Sequence, residues 1–163
     1  LDNLGCTNYL VSAGGDILAR GNRKDGKPWR VGIQHPRANG RLLATLDIGN
    51  GAVVTSGDYE RYKIVEGTRY HHIFDPRTGR PARRHLSLTV VGEDPVAVDI
   101  LSTGLFSMTP SEVLNFVNAH EKLECVGVDE RGKVYVSEGW KEGLEQLVDT
   151  VNIRRDESLK MRD

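Results

Sequence analysis

The sequence predicts an α+β fold: a mostly antiparallel sheet with a few helices packed against it. Three observations predict it. Short alternating apolar segments fill the first half, separated by glycine-rich turns. Helical spacing begins only near Val96. A further strand–turn–strand pattern then returns after the helices.

The elements follow in chain order. Tyr9 to Ala13 reads as a strand, Gly14-Gly15 as a break and Asp16 to Ala19 as its continuation. Trp29 to Ile33 is a strand after the polar turn at Asn22 to Pro28. Leu42 to Ile48 and Ala52 to Thr55 flank Gly49-Asn50-Gly51, whose residues tolerate positive φ, and the pattern predicts a hairpin. Tyr59 to Val65 and Thr68 to Phe74 flank Glu66-Gly67, a second predicted hairpin. Leu86 to Val91 is a strand. Val96 to Met108 is a helix, with Ile100, Leu101, Leu105 and Phe106 on its apolar side. Thr109-Pro110-Ser111-Glu112 forms a capping box with Pro at the first helical position, opening a helix to about Glu121. Glu124 to Val128 and Lys133 to Val136 flank a third hairpin turn at Asp129 to Gly132. Trp140 to Val148 reads as a short helix and Arg154 to Asp163 as a polar tail.

A chain of 163 residues is long enough to bury a core without disulfides or a structural metal. Its 22 Lys and Arg against 23 Asp and Glu argue against a purely electrostatic partner such as nucleic acid or an anionic membrane. Cys6 and Cys125 lie in no metal-ligand spacing and read as small core hydrophobes. No stretch approaches the ~18 apolar residues of a membrane span. Leu1-Asp2-Asn3-Leu4-Gly5 has no initiator Met and reads as the end of a helix entering a strand, as expected of a mature or truncated chain.

Four constellations carry candidate chemistry. In Tyr70-His71-His72-Ile73-Phe74-Asp75-Pro76-Arg77-Thr78-Gly79, strand alternation aims the two histidines at opposite faces, and a His at a strand end beside a turn suits general-base work. Asp99-Ile100-Leu101-Ser102-Thr103 puts a carboxylate and a hydroxyl at i and i+4 on one helix face, with Ser102 adjacent: hard oxygen ligands suited to Mg²⁺. Thr55-Ser56-Gly57-Asp58-Tyr59-Glu60-Arg61-Tyr62 packs hydroxyl, carboxylate, guanidinium and phenol groups into one loop, which suits the edge of a ring-bearing ligand. Ser12-Ala13-Gly14-Gly15-Asp16-Ile17 allows close backbone approach. Each also has an ordinary structural explanation: hairpin histidines, a first-turn Asp, a solvated turn and a β-bulge.

Taken in this order and at these spacings, the four segments resemble the FAD:protein FMN transferase family, also called ApbE-type or thiamine-biosynthesis lipoproteins. The match covers most of the chain, and Thr55 to Gly79 is its most specific part. The resemblance implies an ApbE-like fold and cleavage of FAD at its pyrophosphate. It implies Mg²⁺-dependent transfer of FMN to a Thr or Ser hydroxyl of a target flavoprotein, typically in a membrane redox complex such as the sodium-pumping quinone reductase. Some members instead hydrolyse FAD to FMN and AMP.

By residue, the resemblance assigns the metal to Asp99 and Thr103, with Ser102 where some members have Asp. His72 aligns with the catalytic His and counts among the FAD contacts. Ile73 would touch FAD, Ser56 and Glu60 would hold its adenine end, and Asp16 falls with the cofactor-binding residues. The resemblance places residues 1–153 as the C-terminal part of such a domain, followed by the tail from 154 to 163. The family's first half, with its Ala-Lys-Gly element and early flavin contacts, has no counterpart here. A non-catalytic nucleotide-binding piece is therefore a second reading, and an FAD pyrophosphatase a third. Family resemblance also suggests a periplasmic or lipoprotein location. The near-zero net charge fits a site in which a bound Mg²⁺, rather than a basic surface, attracts the pyrophosphate.

Overall fold

The computed structural model describes residues 1–143. After a 3-10 turn at Asp2–Leu4, β1 (Tyr9–Ala13) and β2 (Asp16–Arg20) form a hairpin across Gly14-Gly15. β3 (Trp29–Gln34) and β4 (Leu42–Ile48) pair as a separate ribbon. β5 (Gly51–Gly57) then enters the main sheet. β6 (Tyr62–Val65) and β7 (Thr68–His71) make a second ribbon, and β8 (Phe74–Asp75) and β9 (Arg80–Pro81) a short third one. β10 (His85–Gly92), helices α1 (Pro95–Leu105) and α2 (Pro110–Asn118), β11 (Leu123–Asp129), β12 (Val134–Val136) and α3 (Glu138–Gly143) complete the order. The predicted extension of the last helix to Val148, the polar tail and the boundary at residue 153 lie outside the described residues.

The central sheet runs β1-β2-β5-β10-β11-β12, with every neighbour antiparallel. β10 lies between β5 and β11 and is buried along most of its length because both of its faces are covered. Alternation sorts the side chains into two layers. Ala52, Val54, Leu88, Val90 and Cys125 face the helices and pack with Val98, Leu105, Phe106, Val113 and Val117. Val53, Val126 and Val128 face the other way and meet Val31, Ile33, Leu43, Ala44 and Ile48 of the β3–β4 ribbon. The molecule is thus ribbon, sheet and helices, with the sheet in the middle.

Local chemistry explains the element ends. Asp94 caps α1, its carboxylate accepting from Val96 N at 2.9 Å, and Pro95 fills the first turn. Thr109 and Glu112 form the expected reciprocal capping box on α2, which ends at Asn118 rather than near Glu121. Glu66 and Gly67 take positive φ values of 50° and 75°, giving the two-residue turn of the β6–β7 ribbon.

Three expectations change. Gly49-Asn50-Gly51 does not join two paired strands. β4 is already paired with β3, so this segment carries the chain from the ribbon into the sheet. Gly51 has φ 142°, and a Cβ there would lie 2.7 Å from Gly92 O, so the crossing needs glycine. Ile100 does not face the core: Val98, Ser102 and Leu105 do, and Val96 and Ile100 are about two-thirds exposed. Cys6 is exposed, whereas Cys125 is buried as expected. Burial among apolar neighbours pushes the Cys125 thiol up to about 12.

Candidate functional site

The inner face of α1 meets the end of β5 through hydroxyl groups. Ser102 is fully buried, and its Oγ lies 3.0 Å from Ser56 Oγ while also donating to Asp99 O at 3.0 Å. Thr103 Oγ1 lies 3.2 Å from Ser56 Oγ. Buried hydroxyls must be partnered, and these partner one another. Asp99 and Thr103, one turn apart, are both exposed, Thr103 while still reaching Ser56. Asp16 stands half-buried at the start of β2 and is near enough to sense Asp99. Burial first, and then the charge of Asp99, raises the Asp16 carboxyl above its ordinary value.

Five of the residues singled out in sequence, Asp16, Ser56, Asp99, Ser102 and Thr103, thus gather from three separate segments. Two carboxylates repel each other beside a set of hydroxyls, and a hard divalent cation would relieve that repulsion. The set fits Mg²⁺. Ser102 spends its hydroxyl inside the protein, so the donors that face outward are Asp99 and Thr103. Among the described residues no group of three His, Cys, Asp or Glu could hold a metal alone, so water or substrate oxygens would complete the shell. Ser56, expected at the adenine end of FAD, is buried in this hydroxyl cluster.

A second group forms at the root of the β6–β7 ribbon, where the two histidines face opposite ways as alternation predicts. His71 is buried, its Nε2 2.7 Å from Ala82 O and its Nδ1 accepting from Ile73 N at 3.3 Å. Those partners fix the neutral form with the proton on Nε2. Its ring meets Phe106 edge-on at 5.8 Å, and burial holds its pKa below the ordinary value. His72 is exposed. Its Nδ1 lies 3.3 Å from Arg61 O, which puts the proton on Nδ1 and leaves the Nε2 lone pair facing outward.

Ile73, expected to touch FAD, is a core residue, 5% exposed, packed in the helix-side layer, and its N–H and C=O are taken by His71 and Ala82. Glu60 is exposed in the turn after β5, beside Tyr59. Burial chiefly, helped by the Glu60 and Asp58 charges, raises the Tyr59 phenol to about 12.

Sequence reasoning missed the partners of this region. Asp58 is buried and takes a two-pronged bond from Arg37 at 2.7 and 2.5 Å, with Arg69 at 3.7 Å. Arg69 also stacks on Tyr62, 3.9 Å from the ring centre. His85 was missed as well: its Nδ1 donates to Phe106 O at 3.0 Å, and Tyr135 donates to its Nε2 at 2.5 Å. His71 and His85 therefore flank one phenylalanine. No local spacing signals these pairs, since Arg37 and Asp58 lie 21 residues apart and His85 and Tyr135 lie 50 apart. A cavity of about 560 Å³ lined by Asn8, Asn22, Arg23, Lys24, Gly26 and Trp29 shares none of these residues.

Comparisons with known proteins bear on the fold and the family. The FAD:protein FMN transferase of Vibrio cholerae is 37% identical over 145 residues, covering 86% of this chain and 43% of that protein. The FAD:protein FMN transferase of Escherichia coli K12 is 37% identical over 119 residues, covering 72% and 34%. The chain therefore spans less than half the length of these curated relatives. The crystal structure of the ApbE protein of Thermotoga maritima superposes with a TM-score of 0.76 at 39% identity, covering 83% of this chain and 44% of that one. The flavin transferase ApbE of Vibrio cholerae gives a TM-score of 0.74 at 34% identity, covering 87% and 46%. The α+β, mostly antiparallel architecture is that of these neighbours. The ApbE family model matches residues 1–127, and the chain belongs to the ApbE family.

Proposed function

We propose that this chain supplies the histidine and metal-binding side of a flavin-transferase site, with FAD as substrate and a protein Ser or Thr hydroxyl as acceptor. The observation that carries this reading is the meeting of Ser56 with Ser102 and Thr103 where α1 crosses β5, with Asp99 on the same helix turn and Asp16 of β2 within reach of its charge. The name shared by the Vibrio cholerae and Escherichia coli relatives supports it.

The chemistry is one displacement at phosphorus. The acceptor oxygen bonds to the FMN phosphorus, the bond to the bridging pyrophosphate oxygen breaks, and AMP leaves. His72 takes the hydroxyl proton on Nε2, the nitrogen left free by the Nδ1 contact to Arg61 O. Asp99 and Thr103 would hold Mg²⁺, with Asp16 completing the negative side of the pocket. When bound, Mg²⁺ neutralises charge on the pyrophosphate oxygens. Ser56 and Ser102 fix Thr103 and the adjoining turn of α1 from below, so that the donor set is rigid before substrate arrives. Glu60 lies on the surface beyond β5, where its carboxylate suits the amino edge of a purine.

The test supplies FAD, Mg²⁺ and a threonine-containing acceptor. His72→Ala should abolish flavin transfer while FAD still binds, and retained transfer removes the histidine from this role. Asp99→Ala should lose activity together with Mg²⁺ dependence. An unchanged Mg²⁺ curve in that variant would falsify the metal assignment. AMP release without any acceptor would identify hydrolysis as the reaction instead. A periplasmic or membrane-anchored setting belongs to the same proposal, and cell fractionation tests it. No helix among the described residues is long and apolar enough to cross a membrane.

A further inference from the structure

The β6–β7 ribbon differs from the rest of the molecule in what it exposes. Among the described residues its strands join no other sheet, and β6 is exposed at all four positions. The register sorts its side chains into two faces. Directly opposed residues share a face, and alternate residues along a strand share it too. Tyr62, His71, Ile64 and Arg69 form one face, whose root turns inward: His71 packs on Phe106 and Arg69 reaches Asp58. Lys63, Tyr70, Val65 and Thr68 form the other. His72, whose N–H donates to Arg61 O, continues the alternation from Tyr70, so His72 belongs to this second face.

The second face therefore presents Val65, Lys63, Tyr70 and His72 in one outward row. Val65 is 53% exposed and Tyr70 47%, diagonal neighbours on this face, while Ile64 and Tyr62 on the first face are exposed too. Beside the row stand Arg61 and Lys63, with Glu66 at the turn, and the surrounding sequence is basic. Residues 61–84 hold seven Arg and Lys against two acids, Glu66 and Asp75, in a chain whose formal net charge is -1. Asp75 is itself paired with Arg77.

We propose that this face docks the acceptor protein through an extended, acidic segment that delivers its hydroxyl to His72. The inference rests on His72 as the proton acceptor. Four residues of extended chain span about 13 Å, so a segment of four or five residues reaches from the ribbon tip to the imidazole. Tyr70 and Val65 give such a segment an apolar platform, and Lys63 and Arg61 give its carboxylates partners. Basic charge on this ribbon would also speed encounter with an acidic partner, an effect that salt weakens.

The experiment measures fluorescence anisotropy of labelled ten-residue peptides on the full chain. Each peptide holds one threonine, flanked by Asp and Glu, by Gln and Ser, or by Lys. The acidic peptide should bind best and lose affinity as salt rises. Lys63→Glu should weaken it about fivefold, as expected for reversing one surface charge beside a carboxylate. Tyr70→Ala should weaken it about tenfold, as for an aromatic anchor. Both substitutions lie at exposed positions, and circular dichroism checks that the fold is kept.

Equal binding of all three peptides overturns the proposal, as does indifference to both substitutions. So does displacement of the acidic peptide by single-stranded DNA at lower concentration, or self-association of the chain through Tyr70 seen in sedimentation. Protection of residues 68–72 from hydrogen exchange in a polypeptide of the relatives' full length, before peptide is added, would assign the face to the rest of that polypeptide and overturn it too. The two readings separate cleanly. If His72→Ala still transfers flavin while Lys63→Glu weakens the peptide, the docking face stands and the role of His72 falls. If His72→Ala stops transfer and neither ribbon substitution matters, the docking face falls alone.

Discussion

The junction of α1 with β5 and the root of the β6–β7 ribbon both hold titratable side chains, and they manage charge in opposite ways. At the junction the buried groups are hydroxyls that satisfy one another, and the carboxylates Asp16 and Asp99 are left half-buried or exposed in mutual repulsion. At the ribbon root the buried groups are imidazoles, each kept neutral by a backbone carbonyl on one nitrogen and a donor on the other, with Phe106 between them. The first region keeps an electrostatic deficit that a cation can relieve. The second is electrically closed, and its one open member is His72. The exposed candidate groups stay at the margin of each region, beside the buried groups that pack under them.

The largest blow to this contrast is Phe106→Ala. The ring is fully buried between two histidines, and its loss should cost about 3–5 kcal/mol. Urea unfolding measures it, and a cost under about 1 kcal/mol would mean that the ring does not seal the region. Next comes the comparison of neighbours. His71→Ala strands Ala82 O and Ile73 N–H and should cost about 1–3 kcal/mol. His72→Ala should stay within about 0.5 kcal/mol, as exposed sites do. Equal costs for the two would erase the distinction between a sealed and an open histidine.

Acid sharpens the comparison further. Burial lowers the pKa of both His71 and His85 below the ordinary 6.5. Below 6.5 the unfolded chain takes up protons that the folded chain refuses, so stability falls as pH drops from 6.5 toward the folded values and levels off beneath them. Urea midpoints at pH 7.5 and pH 5 should show the loss, and a flat profile would show that the rings are not held neutral. Tyr135→Phe removes the donor to His85 and should cost about 1 kcal/mol at pH 7.

The smallest effect probes the junction. The folded Asp16 carboxyl sits above its ordinary 3.8, so the native state holds its proton longer than the unfolded chain does. Stability from this group is full below 3.8 and is lost as pH rises through the folded value. Asp16→Asn should therefore leave stability at pH 7 unchanged or a few tenths of a kcal/mol higher. Mg²⁺ should lower the Asp16 titration followed by NMR. A titration insensitive to Mg²⁺ would detach Asp16 from the metal site.

The turns that were legible in sequence were those whose chemistry is local. Glu66-Gly67 and Asp129 to Gly132 close hairpins because both strands of each are contiguous with the turn. The capping box at Thr109 is complete within four residues. Gly49-Asn50-Gly51 misleads because glycine permits a sharp change of direction without naming a partner. β3, waiting across the connection from residue 35 to 41, had already taken β4. Ile100 misleads for a related reason. A helix laid on a sheet buries one stripe, and Val98, Ser102 and Leu105 fill it, so Ile100 two positions from Val98 points away. Ile73 stood next to the candidate base in sequence, yet its side chain belongs to the core.

The sequence by itself determined the fold class and the family and named the candidate residues, because alternation, capping and contiguous motifs are written within ten or so residues. It also set His71 and His72 on opposite faces, since a strand allows nothing else. Only the tertiary structure decided that Ser56 meets Thr103, that Asp16 lies within reach of the Asp99 charge, that His71 is closed off while His72 is open, and that Asp58 belongs to Arg37. Those outcomes depend on how β2, β5, α1 and the β6–β7 ribbon are brought together. Distance between residues remote in sequence is fixed by packing of whole layers, and no local spacing encodes it.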